Sequence, residues 1–183
     1  MILLTGFEKF GKYSNNISQE AIENFPQILN NIKFKKLILP VDWDASLKNY
    51  RTVLNSLKKE LDLVLLTGIH SGRKYYLELY AWNFRLGKDE NHKYKFGFIK
   101  FGKPLMVKSN INIDQLIYYF EKKTQISISS TPNFYLCNFI YYWALILSQD
   151  KYPVTFLHIP KKENLNNCIE IIENIIIKLI QKI

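Results

Sequence analysis

The sequence predicts an α/β fold: a single domain over residues 1–183, built on an open, mostly parallel sheet with helices on both faces. Three observations predict it. Apolar runs of strand length alternate with segments of helical spacing in the order β-α-β-α-β over residues 2–68, the pattern of a sheet covered by crossover helices. Leu61-Asp62-Leu63-Val64-Leu65-Leu66-Thr67-Gly68 is a nearly continuous apolar run ending in glycine, as strands buried on both faces tend to be. With 183 residues the chain can bury a core without disulfide staples, and its two cysteines, Cys137 and Cys168, belong to no C-x-x-C pair.

Residues 2–5 form the first strand, and 6–11 a loop at its carboxyl end. Ser18 is the expected N-cap of a helix with Gln19 and Glu20 in its first turn, running to Phe25 before Pro26. Residues 34–39 read as the second strand, stopped by Pro40. Asp42 or Asp44 caps a helix through about Lys59, with Ala45, Leu47, Val53, Leu54 and Leu57 near helical spacing. After the central run at 61–68, residues 75–83 alternate as one further strand. Lysines, aromatics and glycines over 87–102 suggest a hairpin or an ordered flap. A helix over 113–123, a short strand over 126–129, an aromatic-rich helix over 133–148, a last strand over 153–158 and a last helix over 164–182 complete the chain.

Charge and composition remove several classes of function. The formal charge is +9, but Arg51, Arg73 and Arg85 are the only arginines and the lysines are scattered, so a solvated lysine surface is expected and a nucleic-acid partner is not. Residues 1–6 have no basic leader and break at Gly6, too short for a signal peptide or a span. Glu170, Glu173 and Lys178 interrupt the isoleucine-rich terminus, which reads as an amphipathic docking helix. No membrane partner and a cytoplasmic location follow as expectations. His70 and His92 have no cluster of ligands at metal spacing, so no metal and no cofactor are expected.

Under this topology the loops after parallel strands converge on one edge, where sites collect. Cys137 opens a helix and His158 closes a strand, an arrangement that can make a thiolate nucleophile with an imidazole partner. Each has an ordinary alternative, Cys137 as a small packed thiol and His158 as a satisfied core histidine. Glu78 stands among aromatics in Tyr75-Tyr76-Leu77-Glu78-Leu79-Tyr80. It is either a buried carboxylate that needs a partner or a solvated position on an edge strand.

These residues fall in motifs whose order resembles the pyroglutamyl peptidase I family of cysteine peptidases. Thr5-Gly6-Phe7-Glu8-Lys9-Phe10-Gly11 is similar to the family's T-G-F-[ED]-P-F-G, and Leu39-Pro40-Val41 to its L-P-V. Gly68-Ile69-His70-Ser71-Gly72-Arg73 is similar to G-x-x-x-G-R, and Glu78-Leu79-Tyr80-Ala81-Trp82-Asn83 to E-[RK]-x-A-x-N. Tyr135-Leu136-Cys137-Asn138 and Phe156-Leu157-His158-Ile159-Pro160 complete the set. Any one motif is weak; the ordered set is specific.

The resemblance implies a cytosolic enzyme that removes an N-terminal pyroglutamyl residue from peptides, with Glu78, Cys137 and His158 as a catalytic triad. It also implies Phe7 and Phe10 as pocket walls, and Arg85 as a second oxyanion donor beside the Cys137 amide. Lys9 stands where the family has proline, Pro132-Asn133 where it has Ala-Gly, and one residue is missing between Arg73 and Glu78. Those departures motivate the alternative of a catalytically silent binding protein with the same fold. Homo-oligomerisation is left open.

Overall fold

In the computed structural model, which describes residues 1–11, 15–57, 60–111, 116, 126–131 and 133–180, the chain begins β1 (Ile2–Phe7), α1 (Ile17–Asn24), β2 (Ile28–Leu29), β3 (Ile32–Leu39), α2 (Trp43–Leu57), β4 (Leu63–His70). It continues β5 (Tyr75–Glu78), β6 (Tyr80–Trp82), β7 (Arg85–Lys88), β8 (Tyr94–Gly97), β9 (Met106–Lys108), β10 (Ile126–Ser129), α3 (Leu136–Ser148), β11 (Val154–Pro160) and α4 (Leu165–Ile180). Seven strands form one sheet in the order β10-β5-β11-β4-β1-β3-β2. Its four central strands are parallel, while β5 runs antiparallel to β11 and β2 antiparallel to β3. The sheet is therefore mostly parallel, as expected, with reversed flanks.

Alternation along the strands divides the core into two layers. Leu3, Val64, Leu66, Val154 and Phe156 pack under α2 and α3 with Trp43, Tyr50, Phe139 and Ile140. Ile2, Leu4, Leu65, Leu157 and Ile159 pack against α1 and α4 with Ile22, Ile172 and Ile176. Burial on both faces is why residues 63–66 read as an unbroken apolar run.

Several expected boundaries move. β1 extends through Phe7, so Gly6 and Phe7 lie in the strand and not in a loop. Asn16, not Ser18, caps α1: its Oδ1 accepts from the Ser18 N–H at 3.0 Å, and the buried Ser18 hydroxyl accepts from the Phe7 N–H at 3.2 Å. Asp42 caps α2, accepting from the N–H groups of Asp44 and Ala45 at 2.8 and 2.6 Å.

The single strand expected over 75–83 is two. Leu79 N–H still donates to Ser129 O of β10, but its carbonyl accepts from the Ser109 N–H, outside the main sheet, and there the chain leaves it. Beyond it β6 pairs with β9 in a separate ribbon. The hairpin expected over 87–102 is present as β7 paired with β8, beginning earlier at Arg85. The helix expected over 113–123 lies outside the described residues. No helix among the described residues is long and apolar enough to cross a membrane.

Candidate active site

Sheet register brings Glu78 and His158 together. Phe156 on β11 pairs with Glu78 on β5, and His158 follows Phe156 by two residues, so the glutamate and histidine share one face as diagonal neighbours. Glu78 is the last residue of β5 and stands between β10 and β11, so it is not on an edge strand. Both side chains are buried, at 2% and 3% exposure. His158 Nδ1–H donates to Glu78 Oε1 at 2.6 Å, which offsets part of the cost of removing the carboxylate from water.

The thiol arrives from above. Cys137 is the second residue of α3, whose first intrahelical donor is Phe139 N–H bonding to Tyr135 O. The amides of Leu136, Cys137 and Asn138 thus precede the helical ladder, at the end where backbone dipoles favour negative charge. Gly68 pairs with His158 across β4 and β11, and a Cβ on it would lie 2.8 Å from Cys137 Sγ and 2.9 Å from Phe156 Cζ. The missing side chain is therefore the space that the sulfur occupies, beside the His158 ring.

His158 Nε2 is buried without an aligned hydrogen-bond partner, although the Cys137 sulfur lies within electrostatic reach of the ring. Burial pulls the imidazole pKa down, but interaction with Cys137 and then with Glu78 outweighs it and lifts the value to about 9. A raised pKa favours the protonated ring, held between the Glu78 carboxylate and the Cys137 sulfur.

His70 borders the same cleft, its ring centroid 5.9 Å from that of His158 and 4.9 Å from that of Tyr76. Its Nδ1 accepts from the Gly72 N–H at 3.1 Å, which leaves Nε2–H to donate to Lys74 O at 2.7 Å. Burial lowers its pKa, and the nearby His158 charge adds to that, against the raising effect of the Lys74 carbonyl. A cleft of about 460 Å³ opens here, lined by His70, Tyr76, Glu78, Ser129, Asn133 and His158 among others.

Two residues without an assigned role in the sequence reading support the site. Asn138, fully buried, donates to the carbonyls of Trp82 and Phe84 and accepts from the Trp82 N–H, each at 2.8 Å. Tyr141 Oη donates to Glu78 O at 2.9 Å. An amide just before the apolar stretch Phe139-Ile140-Tyr141-Tyr142 was the available signal for the first.

The remaining expected residues lie in the same layer but not in that cleft. Phe7 is buried in the core with Trp43 and Phe139, and Phe10 packs against that cluster. The Arg85 guanidinium lies over the Phe139 ring at 5.8 Å, and its Nε is buried without a hydrogen-bond partner. Lys9, where the family has proline, uses the N–H a proline lacks to donate to Gln19 Oε1 at 3.1 Å. Asn133 Oδ1 accepts from the Tyr135 N–H at 3.0 Å, forming the turn into α3, while Pro132 lies outside the described residues. Cys168 is packed in the opposite layer, where burial pushes its thiol up to about 12. Among the described residues no group of acidic, histidine and cysteine side chains could hold a metal.

A parallel-sheet α/β protein with a thiol at a helix start, an imidazole on an adjacent strand and a buried carboxylate behind it falls in the class of cysteine peptidases. The chain belongs to the pyroglutamyl peptidase family, whose sequence profile matches residues 1–169. It is similar to the pyrrolidone-carboxylate peptidase of Thermosipho melanesiensis, at 28% identity over 171 residues, covering 89% of this chain and 84% of the relative. It is also similar to that of Clostridium botulinum, at 27% over 172 residues, covering 87% and 78%. Among solved structures, the pyrrolidone carboxyl peptidase of Thermococcus litoralis superposes with a TM-score of 0.90 at 19% identity, covering 98% of this chain and 93% of that one, which speaks to the fold. The Thermus thermophilus pyrrolidone carboxyl peptidase matches with a TM-score of 0.81 at 25% identity, covering 98% and 97%.

Proposed function

We propose that this cysteine peptidase removes the N-terminal pyroglutamyl residue of peptides, with Cys137 as nucleophile, His158 as acid and base, and Glu78 as the group that orients and charges the imidazole. The observation that carries the reading is the buried 2.6 Å contact between His158 and Glu78, with the Cys137 sulfur seated over Gly68 on the ring's other side. His158 Nε2 takes the thiol proton, and the sulfur attacks the pyroglutamyl carbonyl carbon. The free amide of Cys137 then faces the oxyanion. His158 returns the proton to the leaving amine as the C–N bond breaks, and water hydrolyses the thioester to release pyroglutamate.

Phe7 and Phe10 suit the flat, neutral lactam as apolar walls, and Arg85 is the further candidate donor to the oxyanion. Both cysteines are free thiols, which supports a reducing, cytoplasmic setting. We read residues 1–183 as one domain whose partner is the peptide substrate, with neither nucleic acid nor membrane required. The test is release of a fluorescent amine from a pyroglutamyl conjugate under reducing conditions across a range of pH. Wild type is expected to release it and Cys137→Ala to fail. No release by wild type would sink the assignment.

A further inference from the structure

Residues 94–106 present large apolar side chains to water on a well-anchored backbone. Phe96, Phe101 and Leu105 are 70%, 80% and 66% exposed. The loop is nonetheless built. Buried Asn83 donates to the carbonyls of Lys100 and Lys103 and accepts from the Lys100 N–H. Trp43 Nε1 donates to Lys93 O, and Asp89 accepts from the N–H groups of Trp43 and Lys93. Gly87, at φ 140°, lets the Tyr135 ring lie where a Cβ would approach to 2.7 Å. Exposed apolar groups held in place by so many specific bonds mark a surface that something covers.

This loop is continuous with the Cys137 helix. Asn138 grips Trp82 and Phe84, Tyr142 Oη donates to Pro104 O at 2.7 Å, and Leu86 N–H donates to Phe134 O. Phe84 stacks edge to face on Phe134, three residues before Cys137, and on Phe96 of the hairpin, both at 5.3 Å. An aromatic path therefore leads from the thiol's own turn out to the loop.

The charge on that path narrows the occupant. Lys93 and Lys95 pair with Asp44, but exposed Lys100 and Lys103 have no ion-pair partner among the described residues. A second copy of a chain of net charge +9, docked symmetrically on this face, would bring lysines towards lysines. An acidic peptide would bring complementary charge.

Resting on the peptidase reading above, we propose that the face carrying Phe96, Phe98, Phe101, Lys100 and Lys103 receives the part of the substrate beyond the scissile bond. It favours peptides with an aromatic residue followed by acidic residues after the pyroglutamyl group. The test compares pyroglutamyl-Phe-Glu-Glu, pyroglutamyl-Phe-Lys-Lys and pyroglutamyl-Ala-Gly-Gly peptides, each normalised to the coumarin amide of pyroglutamate. Wild type is expected to prefer the acidic over the basic peptide by about three- to tenfold in kcat/KM at low salt. The preference shrinks at high salt and vanishes or inverts in K100E/K103E. Phe101→Ser lowers the ratio of the Phe to the Ala peptide.

Equal kcat/KM for all peptides, or a preference unchanged in K100E/K103E, overturns the inference while cleavage of the coumarin amide leaves the peptidase reading standing. No cleavage of the coumarin amide removes both. Dimerisation by light scattering, or retention of a single-stranded oligonucleotide, that these same substitutions abolish would reassign the face to that partner.

Discussion

The sheet face beneath α3 and the loop of residues 94–106 are held by the same helix, yet they meet water in opposite ways. Glu78 and His158 are almost fully enclosed, and their arrangement follows from strand register, a missing side chain at Gly68 and the start of α3. Phe96 and Phe101 are among the most exposed apolar side chains of the chain, on a backbone tied down by Asn83 and Tyr142. Burial can be explained by folding alone; exposure on a rigid frame is explained by what it contacts. The first region should therefore be sensitive to changes of a single atom group, and the second tolerant of change in stability while sensitive in recognition.

The sharpest break between the two comes at the thiol. Cys137→Ala is expected to lower release of amine from a pyroglutamyl conjugate by at least ~10³-fold, with a small change in melting temperature. Retention of a tenth of wild-type turnover would mean that the enclosed site is packing and the chemistry lies elsewhere. Gly68→Ala should come next. Its methyl group would meet both Cys137 Sγ and Phe156 Cζ inside 3.0 Å, costing about 1–3 kcal/mol in a packed core. Displacement of the sulfur from His158 should cost about 10²-fold in kcat. A fully active Gly68→Ala would show that the sulfur does not need that space.

The titration of His158 tests the electrostatic half of the comparison. Its pKa, drawn down by burial but raised overall to about 9 by Cys137 and Glu78, lies above the ordinary histidine value of 6.5. The charged ring's contribution to stability is therefore fully present below pH 6.5 and is lost as the pH rises through about 9. Glu78→Gln removes one of the two raising partners, so NMR should find the His158 pKa lower and the stability loss beginning at lower pH. An unshifted titration would show that the carboxylate positions the ring without setting its charge.

Legibility in the sequence followed the same division. Residues 63–66 announced a central strand because burial on both faces leaves an unbroken apolar run, and the order of motifs placed Cys137 and His158 near one another. The split at Leu79 was not readable, since it depends on a hydrogen bond from Ser109 and on pairing of β6 with β9, both distant in sequence. Ser18 looked like the cap of α1 because its residue type suits one, but Asn16 sits two residues earlier with the correct geometry. Gly68 read as the end of the apolar run 61–68, whereas it makes room for a sulfur 69 positions away, visible only once β4 and β11 are in register. Lysines, aromatics and glycines over 87–102 signalled a hairpin or an ordered flap; that its frame is bolted to the Cys137 helix through Asn138 and Tyr142 required the fold.

The smallest expected effect sharpens the comparison from the exposed side. Phe101 is 80% exposed and its ring contacts Phe98 at 5.4 Å, so Phe101→Ser removes little buried area. Its unfolding free energy should stay within ~0.5 kcal/mol of wild type, as for ordinary surface positions. Asn83→Ala, by contrast, leaves the Lys100 and Lys103 carbonyls and the Lys100 N–H without their partner and should cost about 1–3 kcal/mol. Denaturant titration of the two variants separates frame from surface. Equal losses would mean that the exposed rings help to hold the loop together, and their exposure would then need no partner to account for it.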